Sequence, residues 1–491
     1  MRNRHDPDGN RLPIKLDSTC NGEFAPIPLN RLNQQANTLA HRQATDAARR
    51  LGLSRRRFLV TACGAASTLL AFNTVNAAAG KTGGFFELDP DASHDLELAM
   101  AKMRKKEFIF DVQGHYVDPN GKWLESVPDN ARPFSFAEKA GCALAEQPGQ
   151  RSYLQCLGPD EFIKDVFLDS DTDMMVLSFV PSRREAEPLT IDEAANTREI
   201  VNRMGRHRLL LHGRVNPNQD GDIEAMDELA ERYQVAAWKT YTQWGPDGKG
   251  FFLHEDPGLA FIEKARNLGV PVIAIHKGIP FGRRSYEHSL CDDIGIVAKQ
   301  YPDVSFLIYH SGYVPGQDER PYDAEAGRDG IDSLIRSLQA SGLGPGSNVY
   351  AELGSTWRML MRDPDSAAHG LGKLLRYVGP DNVVWGTDSI WYGSPQDQIQ
   401  AFRTFQISDE FQERYGYPAI TSELRQKVFG LNAMKPYGLD LEDRRRYTTT
   451  DWIERDRTAY QETPDPHYRT YGPRTRREFL NLLRRNGDQP A

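Results

Sequence analysis

Val270-Pro-Val-Ile-Ala-Ile-His276 and, further on, Val304-Ser-Phe-Leu-Ile-Tyr-His310 are short apolar runs that each stop on a histidine. Two more also stop on a metal-binding or acid–base residue: Phe108-Ile-Phe-Asp-Val-Gln-Gly-His115 on a histidine and Val383-Val-Trp-Gly-Thr-Asp388 on an aspartate. Near-continuous apolarity over five to seven residues is the pattern of a parallel strand covered on both faces. Working outward, similar runs fall at 174–180, 209–215, 235–240 and 348–352, which brings the count to eight. Helix-like segments lie between them, among them Ile223–Tyr233, Gly258–Leu268 and Asp292–Gln300, with Gly269 and Pro302 placed where helices stop. Strand–helix alternation repeated eight times predicts an α/β fold, a (β/α)8 TIM barrel. The C-terminal ends of all strands in such a barrel open on one face, so residues far apart in sequence converge there.

Three segments are expected: a leader with a signal peptide over 1–79, the barrel over 80–440, and a charged C-terminal extension over 441–491. The connection 117–173 between the first two strands is a long insertion that carries Trp123, Phe134, Phe136 and Tyr153, and 311–330 reads as a polar, Gly-rich lid. The extension carries Arg444-Arg-Arg446 and a short helix near Arg476–Arg485. The chain of 491 residues has a formal net charge of −8, but residues 1–77 carry +6 and the remainder −14. An acidic main body argues against a nucleic-acid partner.

The basic start has its own reading. Ser54-Arg-Arg-Arg-Phe-Leu59 precedes an Ala-rich apolar run from Val60 to about Ala79, with Val75-Asn-Ala77 as a cleavage site. This is the pattern of a twin-arginine export signal, and it predicts a periplasmic or secreted protein handled by the twin-arginine machinery. The run is shorter than a membrane span, so no stable membrane insertion is expected after cleavage. Residues 1–53, polar and rich in Gln, Asn and Arg, are expected to be a disordered leader. Cleavage would leave Cys142, Cys156 and Cys291; a Cys142–Cys156 disulfide is one reading and buried thiols the preferred one.

Side chains repeat with period two along a strand, so Asp111, Gln113 and His115 share one face, as do Lys239 and Tyr241. His276, His310 and Asp388 arrive at the ends of the fifth, sixth and eighth strands. Imidazoles with a carboxylate form the ligand set of one catalytic divalent metal, Zn first, with Mn or Fe as alternatives. Arg358 is the candidate clamp for a substrate carboxylate, Trp391 a candidate wall, and Glu352 is balanced between pocket lining and salt bridge. His212 reads as core.

The order of these residues, with His310-Ser-Gly312 and Gly386-Thr-Asp388, resembles the amidohydrolase superfamily. The branch it is most similar to contains aminocarboxymuconate-semialdehyde decarboxylase. Val428-Phe-Gly-Leu-Asn-Ala433 is similar to a segment that closes the barrel in that branch. The resemblance spans about 108–438. It implies that His115, His276 and Asp388 bind one metal, that His310 polarises a substrate oxygen or moves a proton, and that Lys239 matches a lysine of the fourth strand. The sequence departs at Gln113, where the branch has His or Glu. A neutral amide is a poorer ligand, and Asp111 on the same face is the candidate to compensate. The preferred reading is a mononuclear metal-dependent hydrolase that uses metal-activated water on an ester, lactone or amide carbonyl, with Asp388 moving the proton; the alternatives are non-oxidative decarboxylation of an aromatic or unsaturated acid and a non-catalytic periplasmic binding protein on a degenerate barrel. The expected partner is a small-molecule substrate; homo-oligomerisation stays undecided.

Overall fold

Val272–His276 and Ala237–Tyr241 bury every residue, as strands must when helices cover one face and a packed interior the other. These strands belong to a computed structural model that describes residues 12–120, 123, 156–280, 286–440, 442, 450–466, 468, 470 and 472–485. A short strand β1 (Gly84–Phe86) precedes the barrel. The barrel strands are β2 (Phe110–Gly114), β3 (Met174–Leu177), β4 (Leu209–Arg214), β5 (Ala237–Tyr241), β6 (Val272–His276), β7 (Ser305–Tyr309), β8 (Val349–Glu352) and β9 (Val383–Val384). They pair in sequence order, all parallel.

Closure comes after β9 has left its ladder. Val112 N donates to Trp385 O, Asp388 N to Gln113 O and Ile390 N to His115 O, and Gly114 bridges Ser389 in parallel. The last expected strand, 383–387, is therefore only two residues long. Its remainder turns inward to bring Asp388 over the barrel mouth.

Between the strands, a capping box of Thr190 and Glu193 starts the helix Ile191–Met204. The expected helices appear as Asp222–Glu231, Asp256–Asn267 and Ile294–Gln300. Gly269, with φ of 71°, takes the left-handed turn after the second of these.

The N-terminal region differs from expectation. Residues 31–50, read as part of a disordered leader, form helix α1 (Arg31–Arg50), which buries Ala36, Ala40 and Ala44 along one stripe. Alanines spaced by four give a narrow apolar face that a polar composition hides. It lies on α3 (Ala62–Ala78), reached through α2 (Arg55–Leu59). Phe72 of α3 meets Phe86 at 5.3 Å between ring centroids, and Phe86 meets Phe405 at 5.8 Å. Phe405 lies on β10 (Phe405–Ile407), which pairs antiparallel with β1. Leu12, Phe58 and Leu69 join one apolar cluster with Phe86, Ile109 and Trp357, so this region shares the barrel's outer core. Among the described residues no helix is long and apolar enough to cross a membrane.

Cys156 is disulfide-bonded, against the preference for thiols, and Cys142 lies outside the described residues. Cys291 is a buried free thiol. Phe134, Phe136, Tyr153 and Arg444-Arg-Arg446 also lie outside the described residues. The tail forms helices Trp452–Glu462 and Arg476–Arg485.

The first of these tail helices is tied to the barrel by a buried ion pair. Arg208, 0% exposed, donates through Nε (2.6 Å) and Nη2 (3.0 Å) to the carboxylate of Asp451, the residue that caps the helix. Removing one partner of such a pair strands the other charge in a dry site. Arg208→Ala is expected to lower unfolding stability by about 3–5 kcal/mol in denaturant titrations. A loss below about 1 kcal/mol would show that the tail is not fastened through this contact.

Candidate active site

The mouth of the barrel gathers imidazoles and carboxylates with very little solvent. Asp388, 2% exposed, is the hub. Its Oδ1 accepts from Gln113 Nε2 at 2.9 Å and lies 3.3 Å from His115 Nε2. Its Oδ2 accepts from Ser355 Oγ at 2.5 Å and from Asn21 Nδ2 at 3.2 Å. Burial opposes ionisation of this carboxyl, but the hydrogen bond and charge of His115, aided by His310, hold it below the usual carboxylate range.

Three imidazoles are each oriented through one nitrogen by a backbone carbonyl. His115 Nδ1 donates to Ser178 O at 3.2 Å, His276 Nε2 to Ile279 O at 3.4 Å, and His310 Nδ1 to Gly354 O at 2.7 Å. A carbonyl only accepts, so the bonded nitrogen carries the proton and the other offers a lone pair when the ring is neutral. Burial pushes the His276 and His310 rings down, His310 to about 4, so both are neutral at pH 7. Among the described residues His310 Nε2 has no hydrogen-bond partner. The two rings stand 4.4 Å apart between centroids, and ligand atoms of His276, His310 and Glu23 all lie within 4.8 Å of one another.

The donor set fits a divalent cation of the zinc, manganese or iron kind. Imidazole tied to a carbonyl through its second nitrogen is the usual arrangement of a metal-ligating histidine. The lone pair of His115 Nε2 faces a carboxylate oxygen, a contact that needs a proton or a cation between. The carboxyls of Glu23, Asp111 and Glu352 are pushed up by burial to about 8, 7 and 8, with a smaller contribution from the charge of Asp388.

The remaining residues singled out by sequence fall as follows. Gln113 turns its amide nitrogen to Asp388 and so acts as a donor; its Oε1 has no hydrogen-bond partner. Asp111 lies one layer deeper, where it accepts from Thr387 N (3.1 Å), Thr387 Oγ1 and Gln113 N (3.0 Å). Lys239 is buried, has no hydrogen-bond partner and stands 3.6 Å from the centroid of the Tyr309 ring; burial lowers its pKa to about 7. Trp391 stacks on His115 at 5.5 Å. Arg358 holds a carboxylate of the chain itself, donating to Asp17 Oδ1 at 2.5 Å and to Lys15 O at 3.1 Å. His212 is core, with both nitrogens tied to Ser178 Oγ and Tyr437 OH.

Sequence reasoning missed Asn21, Glu23 and Ser355. Asn21 and Glu23 were set aside with the leader, and nothing in a polar segment signals that it reaches a site hundreds of residues away. Glu352, left undecided, accepts from the backbone N–H of His310 (3.0 Å) and of Gly354 (2.6 Å), and thereby fixes two loops of the site.

A (β/α)8 barrel with imidazoles and a carboxylate converging on its C-terminal mouth belongs to the enzymes that build their active site at that face. Residues 190–439 match the model of the amidohydrolase family, and the chain belongs to that family. No curated protein matches the chain. Solved structures that it resembles include 5-carboxyvanillate decarboxylase from Novosphingobium aromaticivorans, which carries manganese and 3-methoxy-4-hydroxy-5-nitrobenzoic acid. The identity there is 13% over 68% of this chain and 98% of that one, with a TM-score of 0.41. Others are 2,6-dihydroxybenzoate decarboxylase from Rhizobium (14%, 68% and 99%, TM-score 0.38) and 4-oxalomesaconate hydratase from Rhodopseudomonas palustris (15%, 67% and 96%, TM-score 0.38).

Gly386 makes the Glu352 contacts possible, since a Cβ there would lie 1.6 Å from Glu352 Oε1. Gly386→Ala is expected to displace that carboxylate, lower stability by about 1–3 kcal/mol and shift the thermal midpoint down. An unchanged midpoint would show that Glu352 does not brace the site.

Proposed function

We propose that the protein is a mononuclear metal-dependent hydrolase acting on an ester, lactone or amide carbonyl. The observation that carries this reading is the set of three carbonyl-oriented imidazoles around Asp388. His115, His276 and Asp388 would hold the metal, with His310 beside it. A divalent cation in this place supplies Lewis-acid polarisation of a substrate oxygen and lowers the pKa of a water toward ~7.

The chain's own groups then divide the work. Asp388, kept as an acceptor by donors from Gln113 and Ser355, takes a proton from the attacking water and passes it to the leaving group. His310 Nε2, neutral and unprotonated, serves as a ligand or base. This differs from the oxyanion donor that a protonated ring would be. Lys239 is the cation placed to hold a substrate oxygen, and Trp391 packs as a wall against His115. The dry surroundings strengthen each of these interactions.

A second reading is decarboxylation of an aromatic acid. It is favoured by Lys239, a buried amine that has no hydrogen-bond partner among the described residues, lies among Tyr241 and Tyr309, and could take a carboxylate. There Asp388 would protonate carbon. A panel of esters, lactones, amides and hydroxybenzoates, scored for acid release and for CO2, separates the two.

Export by the twin-arginine route to the periplasm is part of the proposal. Arg55, Arg56 and Arg57 are exposed on the folded chain, where the export machinery can read them. With Arg55→Lys and Arg56→Lys combined, the protein is expected to stay in the cytoplasm on cell fractionation; unaltered export would refute the route.

Stripping with a chelator is expected to reduce turnover of the responsive substrate by at least about a hundredfold, and Zn2+ or Mn2+ to restore it. Asp388→Asn is expected to lose about 10²–10⁴-fold in kcat with little change in KM. Turnover that survives complete metal removal would sink the metal-dependent reading.

A further inference from the structure

The N-terminal segment enters the barrel mouth and stays there. Lys15 Nζ donates to Tyr392 O (2.7 Å) and Ser394 O (3.1 Å) and lies 3.7 Å from Asp397. Asp17 pairs with the buried Arg358, and Thr19 shares a 2.6 Å hydrogen bond with Thr470. Cys20 N donates to Pro473 O at 3.0 Å. The chain then turns at Gly22, with φ of 95°, and Glu23 N donates to Asn21 Oδ1 at 3.0 Å.

These anchors aim two side chains at the candidate metal centre. The single amide of Asn21 bridges two carboxylates, donating to Glu23 Oε2 at 2.5 Å and to Asp388 Oδ2 at 3.2 Å. Glu23 brings a carboxylate oxygen within 4.8 Å of ligand atoms of both His276 and His310. The second observation is that His310 Nε2 is fully buried and, among the described residues, has no hydrogen-bond partner. Two ionised carboxylates packed against imidazoles in a site of low dielectric repel each other unless a cation lies among them. Gln113 contributes no negative charge, because its side chain is a neutral amide, and its nitrogen donates to Asp388.

We propose that Glu23 is a metal ligand donated by the N-terminal segment, joining His276 and His310 and supplying the anionic donor that the amide of Gln113 does not. The inference rests on the metal-dependent reading above. It adds that in the uncut chain a position otherwise open to water or substrate is held by the protein's own carboxylate. If export proceeds with cleavage after Ala77, as proposed above, it would remove that ligand and open the position.

The test uses the full chain, stripped of metal and titrated with Zn2+ against a chromophoric chelator, beside a Co2+ titration followed by visible absorption. Glu23→Gln keeps the shape of the side chain and removes its charge; Glu23→Asp keeps the charge and shortens the reach. Glu23→Gln is expected to weaken Zn2+ binding by at least about tenfold and to change the Co2+ spectrum, with Glu23→Asp between it and the native chain. Equal thermal midpoints of the metal-free proteins check that the fold is intact. Affinity within twofold of the native chain and an unchanged Co2+ spectrum in Glu23→Gln, alongside loss of metal in His310→Ala, would overturn the role of Glu23 and leave the metal centre standing. Absence of metal binding by the native chain would overturn both.

Discussion

The contact on which the rest of the site depends is the seat of Asp388. A carboxylate in the interior loses several kcal/mol of hydration, and only donors placed around it offset that loss. Gln113, Asn21 and Ser355 each donate to it, and His115 lies within reach. The same residue closes the barrel, because its backbone N–H reaches Gln113 O across the gap between the last strand and the first. Closure and chemistry are therefore one requirement. If the chain beyond β9 slipped its register, the mouth would open and the carboxylate would lose its donors together.

The covering of that mouth is a joint product of both chain ends. Residues 15–23 run over it and the tail clasps them: Thr19 meets Thr470, and a Cβ on Gly472 would lie 1.4 Å from Cys20 O. The N-terminal end also carries an apolar face, since Leu12, Ile14 and Leu16 are buried in the cluster that α1 and α3 share with the barrel's outer core. The ends are held by charge and hydrogen bonds in low-dielectric surroundings, chiefly Arg358 with Asp17 and Lys15 with Asp397. Such ties are strong while both partners are present and costly once one leaves.

The barrel was legible because its signal is local. Runs such as 271–276 and 304–309 are apolar for a reason that does not depend on distant residues, and each ends at the mouth by geometry. His115, His276, His310 and Asp388 could be read off for the same reason. What was not legible is set by long-range pairing. Arg358 reads as a clamp for a carboxylate and does hold one, but that carboxylate is Asp17, 341 positions away. Asp111 shares its face with Gln113 as period two requires, yet depth along the strand gives its carboxylate to Thr387. The alanine stripe of α1 was hidden in a polar composition, and with it the packing that delivers Glu23.

Backbone strain explains why a buried carboxylate as unfavourable as Glu352 is kept. His310, Ser311, Ser355 and Asp388 all have φ between 52° and 64°, a left-handed conformation that costs residues with a Cβ about 1–2 kcal/mol each. With that twist His310 leaves the line of β7, and its ring, tied through Nδ1 to Gly354 O, stands 4.4 Å from the ring of His276 between centroids. The two oxygens of Glu352 accept the N–H groups of His310 and Gly354, which flank the strained turns of two neighbouring strands. Glycine at 386 gives those oxygens their room. The desolvated carboxyl thus acts as a brace, and the strain it contains is what aims the imidazole into the site.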